Sequence, residues 1–137
     1  MSQADKVIYT GRVHTEGGRN GTSRSDDGRL DIQLSQFGNG PGTNPEQLFA
    51  AGWSACFIGA MTRAAQSQGV TLPGDTSVDA EVDLVMNDTG FFLRARLNVR
   101  LPGLAADVAQ AIVEGGHKLC PYSKSTRGNV DVTLAVI

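Results

Sequence analysis

Leu48-Phe49-Ala50-Ala51-Gly52-Trp53-Ser54-Ala55-Cys56-Phe57-Ile58-Gly59-Ala60-Met61 contains no charged side chain. Its apolar character runs almost all the way round a helical wheel, which predicts a buried helix. The residues before it make a helix start: Thr43 or Asn44 can cap it, Pro45 and Glu46 suit the first turn, and Thr43-x-x-Glu46 has the spacing of a capping box. Arg63, Gln66, Ser67 and Gln68 mark its emergence into solvent, and Gly69 is a suitable end. Cys56 lies mid-helix, where a lone thiol usually packs as a small hydrophobe. The only other cysteine, Cys120, precedes Pro121.

On the N-terminal side, 6–15 is β-like, with Val7, Tyr9 and Val13 broadly alternating. Gly17-Gly18-Arg19-Asn20-Gly21 reads as a turn, and Asp27-Gly28 as a two-residue hairpin signal ahead of Leu30, Ile32 and Leu34. These elements predict a three-stranded antiparallel meander, followed by a glycine-rich loop over 37–43. On the C-terminal side, Val78, Ala80, Val82, Leu84 and Met86 alternate, as do Leu93, Ala95, Leu97, Val99 and Leu101, with Asn87-Asp88-Thr89-Gly90 between them. A second helix is expected over 104–119. Pro121 disfavours helical backbone at Cys120, so that cysteine belongs at or just past the helix end. Val130, Val132, Leu134 and Val136 make a last strand. The order is βββ-α-ββ-α-β: an α+β chain, read as one domain over 1–137.

With 137 residues, a net charge of −2 and a pI near 5.6, the chain is poorly suited to nucleic acid or anionic lipid. No secretory signal is visible at Met1-Ser2-Gln3-Ala4-Asp5-Lys6, and the long uncharged stretch is too short and too weakly apolar to span a bilayer. A cytoplasmic location follows by default, where a disulfide is more often transient and catalytic than structural.

The chemistry-bearing residues are few. The Gly17–Gly21 run lacks the spacing and Lys-Ser/Thr of a phosphate loop, and its β setting fits a strand connection. Arg19 within it is either a solvated loop arginine or a functional cation. His117 and Cys120 are three apart, too few ligands for a metal site. Three functions stay open on the residues alone. They are a redox thiol pair, a Cys-His hydrolase with Cys56 as nucleophile and His117 as base, and a non-catalytic binding or redox-sensing module.

Four segments together carry a resemblance: Gly17-Gly18-Arg19-Asn20-Gly21, Asp27-Gly28-Arg29-Leu30, the run from Gly42 to Phe57, and Cys120-Pro121-Tyr122-Ser123-Lys124-Ser125-Thr126-Arg127-Gly128-Asn129. The chain resembles the organic hydroperoxide resistance proteins of the Ohr/OsmC family over essentially its whole length. The resemblance implies sheets wrapped around a central helix in an intertwined homodimer. It also implies a thiol peroxidase that reduces alkyl and fatty-acid hydroperoxides to alcohols. By motif position Cys56 is then the peroxidatic cysteine and Cys120 the resolving one. Arg19 stabilises the thiolate and the departing alkoxide, and Glu46 orients Arg19. A dihydrolipoyl group on a partner protein is the implied reductant, with no bound metal, haem or flavin. Trp53 stands where the family usually has tyrosine. Gly115-Gly116 is atypical and should weaken the second helix by about 1 kcal/mol per glycine relative to alanine.

One geometric difficulty follows from these assignments. Glu46 and Cys56 are ten residues apart, about 15 Å of rise in a straight helix. Either the helix breaks near Gly52-Trp53, or Glu46 serves a cysteine of the partner subunit. Phe49, Trp53 and Phe57 can supply apolar contacts to a substrate or be plain core.

Overall fold

The computed structural model describes residues 4–37 and 39–137; Gly38 of the expected loop, and the first three residues, lie outside them. The chain divides into two compact units, Met1–Pro45 and Glu46–Ile137. In the first, strands β1 (Val13–Glu16), β2 (Thr22–Ser25) and β3 (Asp31–Gln33) form an antiparallel sheet in sequence order. A single 3₁₀ turn, Gly18–Asn20, joins β1 to β2, so the glycine run is a strand connection.

The strand expected over 6–15 is shorter than its composition suggests. Val13 pairs with Ser25, and one further bond runs from the Asp26 amide to the Arg12 carbonyl. Beyond that β2 has turned away, and a strand forms only where a neighbour supplies the ladder. Val7, Ile8 and Tyr9 therefore lie outside any strand and are exposed. The β2–β3 connection is also wider than two residues, because the Ser25 amide bonds the Leu30 carbonyl and encloses four. Asp27 explains the wider form: its carboxylate accepts from the Ser25 hydroxyl at 2.6 Å and the Arg29 amide at 3.0 Å. Gly28 supplies the left-handed conformation, φ 76°, that the turn requires.

In the second unit, α1 (Pro45–Ser67) runs unbroken for 23 residues, Pro45 being its first. The break entertained at Gly52-Trp53 does not occur. Gly52 is there for packing: a Cβ at that position would lie 2.7 Å from the Tyr122 hydroxyl. Trp53, Phe57, Ala60, Met61, Ala64 and Ala65 form the buried face. The opposite face, Ala51, Ala55 and Gly59, is exposed, so a single chain does not enclose the helix that its composition marks as buried.

Strands β4 (Ser77–Asn87) and β5 (Gly90–Arg100) form an antiparallel hairpin around a two-residue loop, with Asn87 opposite Gly90. The Asn87 side-chain oxygen accepts from both the amide and the hydroxyl of Thr89. Val78↔Val99, Ala80↔Leu97 and Val82↔Ala95 face the core. The alternate face carries an ion-pair ladder in which Arg96 contacts Asp83 and Glu81, and Arg94 contacts Asp83.

Helix α2 (Ala106–Leu119) follows, starting two residues later than expected; then come α3 (Pro121–Thr126) and β6 (Asp131–Val136). The expectation of antiparallel sheets holds for β1-β2-β3 and for β4–β5, but β6 joins the other edge of β5 in parallel. The connection allows this: α2 and α3 lie between β5 and β6, the long helical crossover that parallel neighbours require and a tight turn cannot supply. Helix α3 was not expected, since six residues show no helical period. Gly115 and Gly116 have a packing role. Added Cβ atoms would meet the Ala64 Cβ at 2.8 Å and the Met61 Cγ at 2.6 Å, so the glycines let α2 approach α1 closely. The core joins Trp53, Phe57 and Met61 to Leu97 and Val99 and to Ile112 and Val113. Each such side chain, fully buried, stabilises the fold by about 1.5–3 kcal/mol.

Candidate active site

Cys56 lies beside the buried face of α1 and is half-buried. Cys120 is fully buried at the junction of α2 and α3. Its backbone, φ −66° and ψ 124°, is extended as the following proline demands. One residue thus ends one helix and precedes the next: its amide bonds the Gly116 carbonyl, and its own carbonyl accepts from the Lys124 amide. The two sulfurs stand 3.4 Å apart as free thiols. A disulfide needs about 2.05 Å, so side-chain movement of little more than 1 Å closes the bond.

Burial pushes the Cys56 thiol above its ordinary pKa. The Tyr122 backbone amide, which hydrogen-bonds the sulfur, opposes this, and the neighbouring Cys120 thiol adds to the upward shift. Both upward causes disfavour the thiolate, and the amide contact favours it.

The other expected site residues are placed as follows. Arg19 occupies the 3₁₀ turn of the first unit, half-buried. Glu46 lies in the first turn of α1, and with α1 continuous it is about 15 Å along the axis from Cys56. His14 is exposed, 3.5 Å from Glu16. His117 does not pair with Cys56: its Nδ1 is buried without a hydrogen-bond partner among the described residues. Burial first, and the Arg127 cation second, hold its pKa below the ordinary value. The Cys-His dyad is therefore not assembled. Among the described residues no three metal-ligating side chains cluster, and no helix is long and apolar enough to cross a membrane.

Two contacts around the thiols escape a reading of the sequence alone. The Trp53 indole N–H donates to the Ser123 hydroxyl at 3.2 Å, with both side chains fully buried. The Tyr122 ring packs edge-on against Phe49, centroids 5.9 Å apart. Pro121 as the opening residue of a helix was the available signal, since proline suits a first helical position.

Two thiols held at this distance, one on a core helix and one at a helix corner, define a protein built for cysteine-based redox chemistry. The comparisons with known proteins agree. The OsmC-like protein family matches residues 38–135. An organic hydroperoxide resistance protein of Xanthomonas axonopodis pv. citri is 44% identical over 141 residues, covering 99% of both chains. Organic hydroperoxide resistance protein OhrB of Bacillus subtilis is 42% identical over 134 residues, covering 93% of this chain and 97% of its own. The crystal structure of that OhrB superposes with a TM-score of 0.90 at 40% identity, covering 96% of this chain and 100% of the other. The chain belongs to the Ohr/OsmC family of organic hydroperoxide resistance proteins.

Proposed function

We propose that the protein is a two-cysteine peroxidase that reduces organic hydroperoxides to alcohols, with Cys56 as the peroxidatic residue and Cys120 as the resolving one. The observation that carries this reading is the 3.4 Å approach of the two thiols. The Cys56 thiolate attacks one peroxide oxygen. The S–O bond forms as the O–O bond breaks, sulfur gives up two electrons, and the alkoxide leaves to be protonated as alcohol. Cys120 then attacks the sulfenic sulfur: S–S replaces S–O, and the hydroxyl departs as water with the thiol proton. A dithiol reopens the disulfide by exchange, and we assign that role to a dihydrolipoyl group on a protein partner.

Arg19 and Glu46 complete the site in this reading, Glu46 orienting the guanidinium. Because α1 is unbroken, we assign the pair to the cysteine of the other subunit in a homodimer. The exposed uncharged face at Ala51, Ala55 and Gly59, and the exposed Val7, Ile8 and Tyr9, support such an assembly. Lowering a thiol pKa from about 8.5 to about 5.5 raises the thiolate fraction about thirtyfold at neutral pH. With a Brønsted slope near 0.5 it lowers nucleophilicity by about the same factor. Arg19 accordingly acts chiefly on the charge that develops on the departing alkoxide.

Preference for alkyl and fatty-acyl peroxides follows from the uncharged surroundings of Cys56, each buried methylene contributing about 0.8 kcal/mol. A cytoplasmic location belongs to the same reading.

The test is peroxide consumption with dihydrolipoamide as reductant, tert-butyl hydroperoxide against hydrogen peroxide. Turnover strongly favouring the organic substrate is expected, and equal efficiency or no turnover overturns the assignment. Arg19→Met should slow peroxide reduction far more than it slows alkylation of Cys56 by a neutral reagent, because only peroxide cleavage releases an alkoxide.

A further inference from the structure

We propose that Trp53 and Ser123 are a positioning pair that holds the corner bearing Cys120 against Cys56, a role that rests on the two-cysteine cycle proposed above. The spacing is parallel on the two sides. Trp53 stands three residues before Cys56 on α1, and Ser123 stands three residues after Cys120 in α3. Residues three apart on a helix lie on one face, so α1 presents Trp53 and Cys56 together. The indole-to-hydroxyl bond at 3.2 Å and the sulfur contact at 3.4 Å are therefore two links, about one turn apart, between the same helix and the same corner.

The corner needs such a link. Helix α3 has six residues, too few to repay the cost of its own nucleation. Its inward-facing side is held by what meets α1: Ser123 on Trp53, the Tyr122 ring on Phe49, and the Tyr122 hydroxyl in the gap left by Gly52. Among these only the Trp53 bond is directional, and it is sheltered from water. Phenylalanine at 53 would supply most of the same apolar area but no donor, and among the described residues the Ser123 hydroxyl has no other hydrogen bond to fall back on. The same segment supplies the Tyr122 amide that bonds the Cys56 sulfur. Loss of the pair lets Cys120 retreat, so the sulfenic acid at Cys56 lives longer before S–S replaces S–O and water leaves. A longer-lived sulfenic acid meets more hydroperoxide, which takes it on to sulfinic acid.

Trp53→Phe, Ser123→Ala and the double variant of the full chain test this with two readouts. The first is the dithiol–disulfide equilibrium of Cys56 and Cys120 against reduced and oxidised glutathione, which gives the effective concentration of one thiol at the other and uses no peroxide. The second is the partition of Cys56 between disulfide and sulfinic acid as tert-butyl hydroperoxide is raised, read by mass spectrometry. Each single variant should lower the effective concentration, and the disulfide share of the partition, by about tenfold. The double variant should be no worse than the worse single, because removing both partners strands neither. A wild-type glutathione equilibrium in a variant with native circular dichroism overturns the proposal. So do additive effects in the double variant, which would show that the two side chains act independently of the bond between them. If Trp53→Phe fails to fold, Ser123→Ala carries both readouts. Wild-type protein that forms the disulfide with glutathione but reduces no organic hydroperoxide overturns the peroxidase reading and leaves the positioning pair intact.

Discussion

The two thiols sit in regions built on opposite principles. Cys56 belongs to a helix of 23 residues whose buried face is fixed by six core side chains. Cys120 belongs to a corner where two helices, of 14 and 6 residues, meet at a cysteine-proline step. The first region owes its position to hydrophobic area, which is non-directional and spread over many residues. The second adds to the burial of Cys120 in that core a handful of directional contacts: the Gly116 carbonyl on the Cys120 amide, Trp53 on Ser123, and an Arg127 guanidinium donating to the His117 carbonyl. The proposed cycle, which first presents one thiol to substrate and then brings up a second, is served by this division. In that cycle the scaffold holds the nucleophile, and the corner keeps the second sulfur within the 3.4 Å from which side-chain movement closes the disulfide.

Removing either sulfur tests the division most severely. Cys56→Ser should abolish peroxide reduction. Cys120→Ser should reduce one equivalent and stop, with Cys56 trapped as sulfenic acid and detectable by a dimedone-type probe. Sustained turnover of Cys120→Ser with dihydrolipoamide would remove the corner from the cycle.

Stability should show the next largest effect, on the scaffold side. Gly116→Ala adds a Cβ at 2.6 Å from the Met61 Cγ, which yields only by repacking a fully buried side chain, and 3.3 Å from the Met61 backbone nitrogen, which yields only if α1 moves. Overpacking of this kind costs about 1–3 kcal/mol, against which alanine recovers about 1 kcal/mol of helix propensity. Net destabilisation in urea unfolding is expected, and a stabilised variant would break the account of why α2 carries adjacent glycines. Gly52→Ala is the milder counterpart on the other side. Its 2.7 Å contact is with the far end of the Tyr122 side chain, which can shift. Stability should stay within about 1 kcal/mol of wild type, the helix-propensity gain offsetting the strain, while disulfide formation slows because Tyr122 belongs to the corner.

The same division explains what could be read in the residues. Periodicity reports area, so it located α1, both strands of the β4–β5 hairpin and β6, and the strict alternation of Val78, Ala80 and Val82 matches their observed partners Val99, Leu97 and Ala95. Directional contacts leave no period. Helix α3, the Trp53–Ser123 bond and the four-residue turn closed by Asp27 were invisible for that reason. The closeness of Cys56 and Cys120 was legible only through resemblance, since nothing local links positions 56 and 120. Direction of pairing was misjudged for β6 because alternation is identical in parallel and antiparallel strands. Composition overstated the enclosure of α1 and the length of β1, where Ala51, Ala55, Val7 and Ile8 are exposed.

The smallest effect should appear in pH dependence at the corner, and its sign is fixed by His117. The folded protein holds this imidazole below its ordinary pKa of 6.5, mainly by burial and secondarily through the Arg127 charge. The unfolded chain therefore binds more protons than the folded one once the pH falls to about 6.5. Stability is complete above that value and declines as the pH drops through it toward the folded pKa, below which the loss is constant. Carboxylates add their own acid sensitivity only at lower pH. His117→Gln should thus flatten the decline that sets in as the pH falls below about 6.5, leave stability at pH 8 close to wild type, and leave the glutathione equilibrium at pH 8 unaltered. A slope unchanged by the substitution would show that the buried Nδ1 is no determinant of acid sensitivity. A large loss at pH 8 would show that the neutral ring contributes to holding the corner in a way its unpartnered nitrogen does not suggest.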